Sequence, residues 1–74
     1  MIDGMQIKRG RTLLGWTSKQ LAKASGVRVE AIERAERSTG DLPLTIAHAT
    51  AIQKALESTG IAFRPDGQVE MRRA

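Results

Sequence analysis

The residues whose side chains could do chemistry are distributed for charge recognition rather than for making and breaking bonds. Among 74 residues there is one histidine and no cysteine. His48 stands alone, with no second histidine, cysteine or carboxylate pair at ligand spacing, so it reads as a surface or interface histidine rather than a metal ligand. Catalysis needs titratable groups that converge in a sheltered pocket, and the carboxylates here are mostly interleaved with arginines. No glycine-rich phosphate loop occurs either, so an enzyme is not expected and no cofactor is implied. What the chain does offer is cationic charge: 12 Lys and Arg against 8 Asp and Glu, a net charge of +4. Lys8, Arg9, Arg11, Lys19, Lys23, Arg28, Arg34 and Arg37 fall in the first half, and Arg64, Arg72 and Arg73 cluster near the end. This balance favours a phosphate backbone as partner, because each neutralised phosphate releases counterions.

The elements that must position these charges are clearest from Thr17 to Arg37, TSKQLAKASGVRVEAIERAER. Thr17 is an N-cap, and Gln20 three residues on completes a capping box. Trp16 and Leu21 have the spacing of a hydrophobic staple, which places Trp16 in the core rather than on a nucleobase. Leu21 and Ala22 face inward, Lys19 and Lys23 outward. Gly26 stands where the first helix must stop in a left-handed conformation that glycine adopts freely. After Val27, a second helix carries Ile32 and Ala35 on one side, with Glu30, Arg34 and Arg37 on the opposite face and Glu33 on its flank. A short helix, a tight break and a second helix make the pattern of a helix-turn-helix.

The run LLGWTSKQLAKASGV and the helical segment after it resemble the Cro/C1-type (XRE) helix-turn-helix family, in particular its very small single-domain members. The likeness covers Gln6 to about Leu56. It implies a mainly α fold, a four-helix lambda-repressor-like domain, with the second helix of the motif lying in the DNA major groove. Carried over position by position, it implies Arg28, Val29, Glu30, Glu33 and Arg34 as the base-reading set, with Thr17, Ser18, Lys19 and Arg37 beside the phosphates. Two positions depart from the family's pattern. Arg28 stands where Ser or Thr usually caps the recognition helix, removing a cap worth about 1 kcal/mol. Glu30 and Glu33 sit on a surface meant for a polyanion. They could accept hydrogen bonds from cytosine N4, or form i,i+4 pairs with Arg34 and Arg37, the reading favoured here.

The flanking segments read as support. Met1 to Gly4 is expected to be loose, with Asp3 capping a first helix that runs to about Leu14 and Gln6 as its capping partner. Ile7, Leu13 and Leu14 supply its apolar side, Lys8, Arg9 and Arg11 stay solvated, Gly10 implies close backbone packing, and Gly15 is the C-cap. The loop from Ser38 to Pro43 tucks Leu42 and Leu44 under the domain. A fourth helix from about Thr45 to Ser58, stopped by Gly60, places Ile46, Ala49, Ile52 or Gln53, and Leu56 on one stripe. Residues 1–60 are thus expected to form the DNA-binding domain that the resemblance implies. Residues 61–74 read as a β-hairpin about Pro65-Asp66-Gly67, with Ile61, Phe63, Val69 and Met71 on one face. That apolar face must lie on the helices, and an open edge could pair with its copy across a two-fold axis, so these four mark the expected homodimer element.

One domain is all that this length allows. Absence of cysteine, of an apolar leader at the start and of any membrane-spanning run fits a cytoplasmic, soluble protein with no membrane partner. Two functions remain in view. The resemblance implies a dimeric transcriptional regulator, most simply a repressor, that binds a palindromic operator on double-stranded DNA. The alternative is an interaction protein such as an antitoxin or anti-activator, whose helix-turn-helix scaffold holds a toxin or an activator. Glu30 and Glu33 keep it open.

Overall fold

The computed structural model describes residues 2–38 and 43–72. Among these residues, four helices and a two-stranded antiparallel sheet follow in order: α1 (Gly4–Leu14), α2 (Ser18–Ser25), α3 (Val29–Arg37), α4 (Ile46–Glu57), β1 (Ile61–Phe63) and β2 (Val69–Met71). The chain is mainly helical, with the hairpin laid over α1 and α4.

The starts of α1 and α2 follow from the same local chemistry. Asp3 accepts from the Gln6 amide at 2.8 Å while the Gln6 side chain accepts from the Asp3 amide at 2.9 Å. Thr17 and Gln20 repeat this arrangement at 3.2 and 2.7 Å. In both cases the residue before the cap is apolar and has a partner at the fourth helical position, Ile2 with Ile7 and Trp16 with Leu21. The first of these staples overturns the expectation of a loose start: Ile2 is buried in the core, and Gly4 is already helical and buried. Gly15 and Gly26 end their helices at φ 71° and 75°, as their positions required.

Ile7, Leu21, Ile32, Ile52 and Leu56 are the largest fully buried side chains, joined by Val27, Ala35, Ala49 and Ile61. Ile52 rather than Gln53 therefore takes the α4 stripe. Two expected core residues lie outside: Leu13 is 45% exposed and Ile46 is 72% exposed. At about 100° per residue, Leu13 points about 120° from Ile7 and Ile46 about 120° from Ile52, each beyond the apolar stripe of its helix. Leu44 packs against the core as expected. Leu42, expected beside it, lies outside the described residues. α4 ends at Ser58, still in right-handed conformation, and Gly60 at φ 102° makes the turn into β1 two residues later.

The hairpin pairs Ile61 with Met71, Ala62 with Glu70 and Phe63 with Val69. Its loop is closed by bonds from Gly67 N to Arg64 O (3.0 Å) and from Arg64 N to Gln68 O (2.9 Å), with Gly67 at φ 89°. Ile61 is buried, and Phe63, Val69 and Met71 pack on the helical core, so one apolar face covers the helices as expected.

Two glycines of α1 mark close approaches to other elements. A Cβ at Gly10 would press on Leu56 Cδ1 at 3.2 Å, which accounts for a glycine inside α1. A Cβ at Gly4 would collide with the backbone carbonyl oxygen of Ala35 in α3. Gly4→Ala is therefore expected to destabilise the fold by about 1 to 3 kcal/mol despite alanine's higher helix propensity; urea unfolding measures this, and a variant as stable as the wild type would contradict the close α1 to α3 contact.

Candidate nucleic-acid interface

The candidate surface is built by α2, the turn at Gly26 and α3. The Gly26 amide donates back to Ala22 O at 2.8 Å, and Val27 N donates to Ser25 Oγ at 3.2 Å, so the chain reverses direction within the turn's own hydrogen bonds. Val27 anchors the turn in the core. Arg28 then begins α3 in extended conformation, φ −60° and ψ 142°, and its side chain makes no capping bond, as its residue type led one to expect. Its carbonyl still accepts from Ala31 and Ile32, so α3 starts without a side-chain cap.

Ile32 and Ala35 point into the core and turn the remaining face of α3 outward. Arg28, Glu30, Glu33, Arg34 and Arg37 are exposed, and Val29 is half-buried at the edge. On α2, Thr17 and Lys19 are exposed and Ser18 is half-buried. The two groups meet where Ser18 Oγ donates to Glu33 Oε2 at 3.4 Å. All nine residues singled out from the sequence therefore belong to the outward sides of two touching helices. Four of them are cationic, Lys19, Arg28, Arg34 and Arg37, against two carboxylates.

The expected Glu30 to Arg34 and Glu33 to Arg37 ion pairs are not formed; the ion pairs among the described residues are Arg11 with Glu36 and those joining Arg64 and Arg72 to Asp66 and Glu70. Exposed i,i+4 pairs are worth only about 0.3 to 0.5 kcal/mol, which side-chain entropy and solvation can cancel. Glu30 and Glu33 are left without an arginine partner on their own helix.

The ion pair that does form links this surface to the rest of the domain, and the sequence reading missed it. Arg11 was expected to be solvated. Instead its Nε and one terminal nitrogen donate to the two oxygens of Glu36 at 2.8 and 2.7 Å, and its other terminal nitrogen donates to Trp16 O at 2.9 Å. One guanidinium thus joins α1, the last turn of α3 and the residue before the α2 cap. The side chains are 18% and 9% exposed. Hydrogen bonding to Glu36 holds the guanidinium above its ordinary pKa against the opposing effect of burial, with further attraction from Glu36 and Glu33. A raised pKa keeps the Arg11 side of the pair charged at every pH below the ordinary arginine range. A signal for this pair was present in the sequence. Glu36 lies about 40° from Ile32 around α3, and Arg11 about 40° from Ile7 around α1, both inside an apolar stripe where an unpaired charge is costly.

Among the described residues no group of three or more His, Cys, Asp or Glu could hold a metal ion. His48 is exposed on α4. Among the described residues no helix is long and apolar enough to cross a membrane. Compared with known proteins, the chain matches no family model, no curated protein and no solved structure.

Glu36→Ala is expected to lower stability by about 2 to 4 kcal/mol, because it strands the shielded Arg11 charge. Glu70→Ala, which removes exposed ion pairs of the hairpin, is expected to cost about 0.5 kcal/mol or less. Equal losses in denaturant melts of the two variants would contradict the clamp.

Proposed function

We propose that the chain is a sequence-specific double-stranded DNA-binding transcriptional regulator, in the simplest case a repressor, working as a cytoplasmic homodimer and not as an enzyme. In this reading α2 and α3 are the helix-turn-helix of a lambda-repressor-like domain similar to the Cro/C1-type (XRE) family. The observation that carries it is the outward face of α3, held clear of the core beside the N-terminus of α2, with four cations on the combined surface.

The physical roles follow from position. α3 enters the major groove with Arg28 and Val29 foremost. Arg34, one turn further on, has the planar fork to bond guanine O6 and N7 together. Glu30 and Glu33, free of arginine partners on α3, can accept from cytosine N4. Thr17, Ser18 and Lys19 at the start of α2 and Arg37 at the end of α3 meet the phosphates, which set orientation without reading sequence. A protomer measures 31 × 26 × 19 Å, so two copies abreast across a two-fold axis suit half-sites about 34 Å apart.

The second reading is a protein-interaction module, an antitoxin or anti-activator on the same scaffold, and the unpaired Glu30 and Glu33 favour it. A gel shift against DNA upstream of its own gene, with a salt titration, separates the two. The regulator reading expects preference for that DNA over random duplex and a log–log salt slope of about −4 or steeper for a dimer. A slope near zero, or indifference to sequence, favours the interaction module. Within the regulator reading, Arg34→Ala is expected to erode discrimination between operators by about 1 to 3 kcal/mol, whereas Lys19→Ala weakens all duplexes alike; equal effects of both changes on cognate and random DNA would refute these roles.

A further inference from the structure

The outer face of α1 is apolar and cationic at once, and neither the core nor the α2 and α3 surface uses it. Gly4, Ile7, Gly10 and Arg11 turn inward, towards the core and α3. On the other side Met5, Lys8, Arg9, Thr12 and Leu13 are all exposed. With half-buried Val69 as one wall, they line a groove of about 520 Å³. Met5 is 65% and Leu13 45% exposed, two of the three large apolar side chains that face solvent among the described residues. The third, Ile46, begins α4 and lines no part of the groove. Neither Met5 nor Leu13 serves the core of its own protomer, and both are more favourably covered than wet.

Spacing orders these residues. Met5, Arg9 and Leu13 lie four positions apart, so neighbours are separated by about 40° and about 6 Å along the helix. They form one ridge, with an apolar side chain at each end and a guanidinium between. Lys8 and Thr12 make the adjoining row, where the Thr12 hydroxyl already donates to Lys8 O at 2.7 Å. No carboxylate lines the groove. Lys8 and Arg9 enter none of the ion pairs found among the described residues, whose carboxylates are Glu36, Asp66 and Glu70. Arg11, the third cation of α1, is by contrast held by Glu36.

We propose that this face of α1 docks an acidic amphipathic helix of a different protein, one with two apolar residues about two turns apart and a carboxylate midway between them. Such a helix advances at the same rise per residue as α1, so its two apolar residues meet Met5 and Leu13 while the carboxylate comes opposite Arg9. The guanidinium fork can take both oxygens of that carboxylate, and Lys8 attracts a second acidic group on the flank. A neutral apolar helix would strip water from Arg9 without replacing it, and a basic one would be repelled, so the residue between the two anchors sets the sign of the partner. A second copy of this chain fits poorly for the same reason. Antiparallel pairing of two α1 helices, the register that matches Met5 to Leu13, would set Arg9 against the partner's Arg9. The inference does not rest on the DNA reading. α1 turns Gly4 and Arg11 to α3 and this face away from it, so the two surfaces share no residue and both partners can be held at once.

Backbone amide shifts of the full chain during titration with three synthetic helical peptides test the inference. The first carries two leucines two turns apart with glutamates between them, the second has lysines in place of the glutamates, and the third is a scramble of the first. The glutamate peptide is expected to shift the amides from Met5 to Leu13, and the other two to bind at least about tenfold more weakly. Arg9→Glu is expected to reverse the preference towards the lysine peptide, and Leu13→Gln to weaken the glutamate peptide about tenfold. Both are exposed helix positions, so helical circular dichroism is retained. Lys54→Glu, a matched reversal at an exposed cation of α4 outside the groove, is expected to leave the preference in place. Absence of shifts in α1, equal binding of the scramble, shifts confined to Arg28 to Arg37, or concentration-dependent shifts of α1 without any peptide would each overturn the inference. The gel shift reports on α3 separately.

Discussion

The bidentate bond between Arg11 and Glu36 is the constraint on which the arrangement of the other elements depends. A 74-residue chain has little core to spare, and its largest buried side chains are aliphatic groups that specify that helices pack but only loosely how they are oriented. The ion pair adds direction. Its two oxygens and planar fork allow one relative placement of α1 and α3, and the third bond, to Trp16 O, extends this to the chain entering α2. Such a pair contributes modest net stability, since desolvation offsets much of the attraction. Its larger effect is on geometry. Gly4 approaches the same last turn of α3, so α1 grips that turn at two points and the outer face of α3 is held at a defined angle.

That held face is where the charge pattern becomes informative. A net charge of +4 spread evenly would be ordinary solvated surface. Here Lys19 on α2 and Arg28, Arg34 and Arg37 on α3 are all exposed, and among the described residues Glu30 and Glu33 form no ion pair. In the DNA-binding reading proposed above, cations beside carboxylates without an arginine partner suit a partner that presents both phosphates and base edges. On a surface meant only for phosphate, the two glutamates would be a liability.

Local chemistry was legible in the sequence and long-range pairing was not. The caps at Asp3 and Thr17, the left-handed ends at Gly15 and Gly26 and the hairpin turn at Gly67 each depend on residues within a few positions of one another, and each is where the sequence placed it. Helical periodicity likewise separates Ile32 and Ala35 from the rest of α3, whereas the choice of nine surface residues rests on the resemblance to the Cro/C1-type family. Periodicity fails where a residue's angle on the helix departs from its neighbours' stripe. Leu13 and Ile46 miss the apolar stripes of their helices by about 120°, whereas Arg11, a charged residue, lies inside one. Arg11 and Glu36 are 25 positions apart, and only the packing of α1 on α3 brings them together.

In the reading proposed above, the clamped outer face of α3, with the start of α2, is the surface that meets a duplex. Backbone amide chemical shifts of the wild-type chain, followed by NMR during titration with a DNA duplex from upstream of its gene, test it most directly. The largest changes are expected at Thr17, Ser18 and Lys19 and from Arg28 to Arg37; changes confined to α1 or the hairpin, or none at all, would rule that surface out.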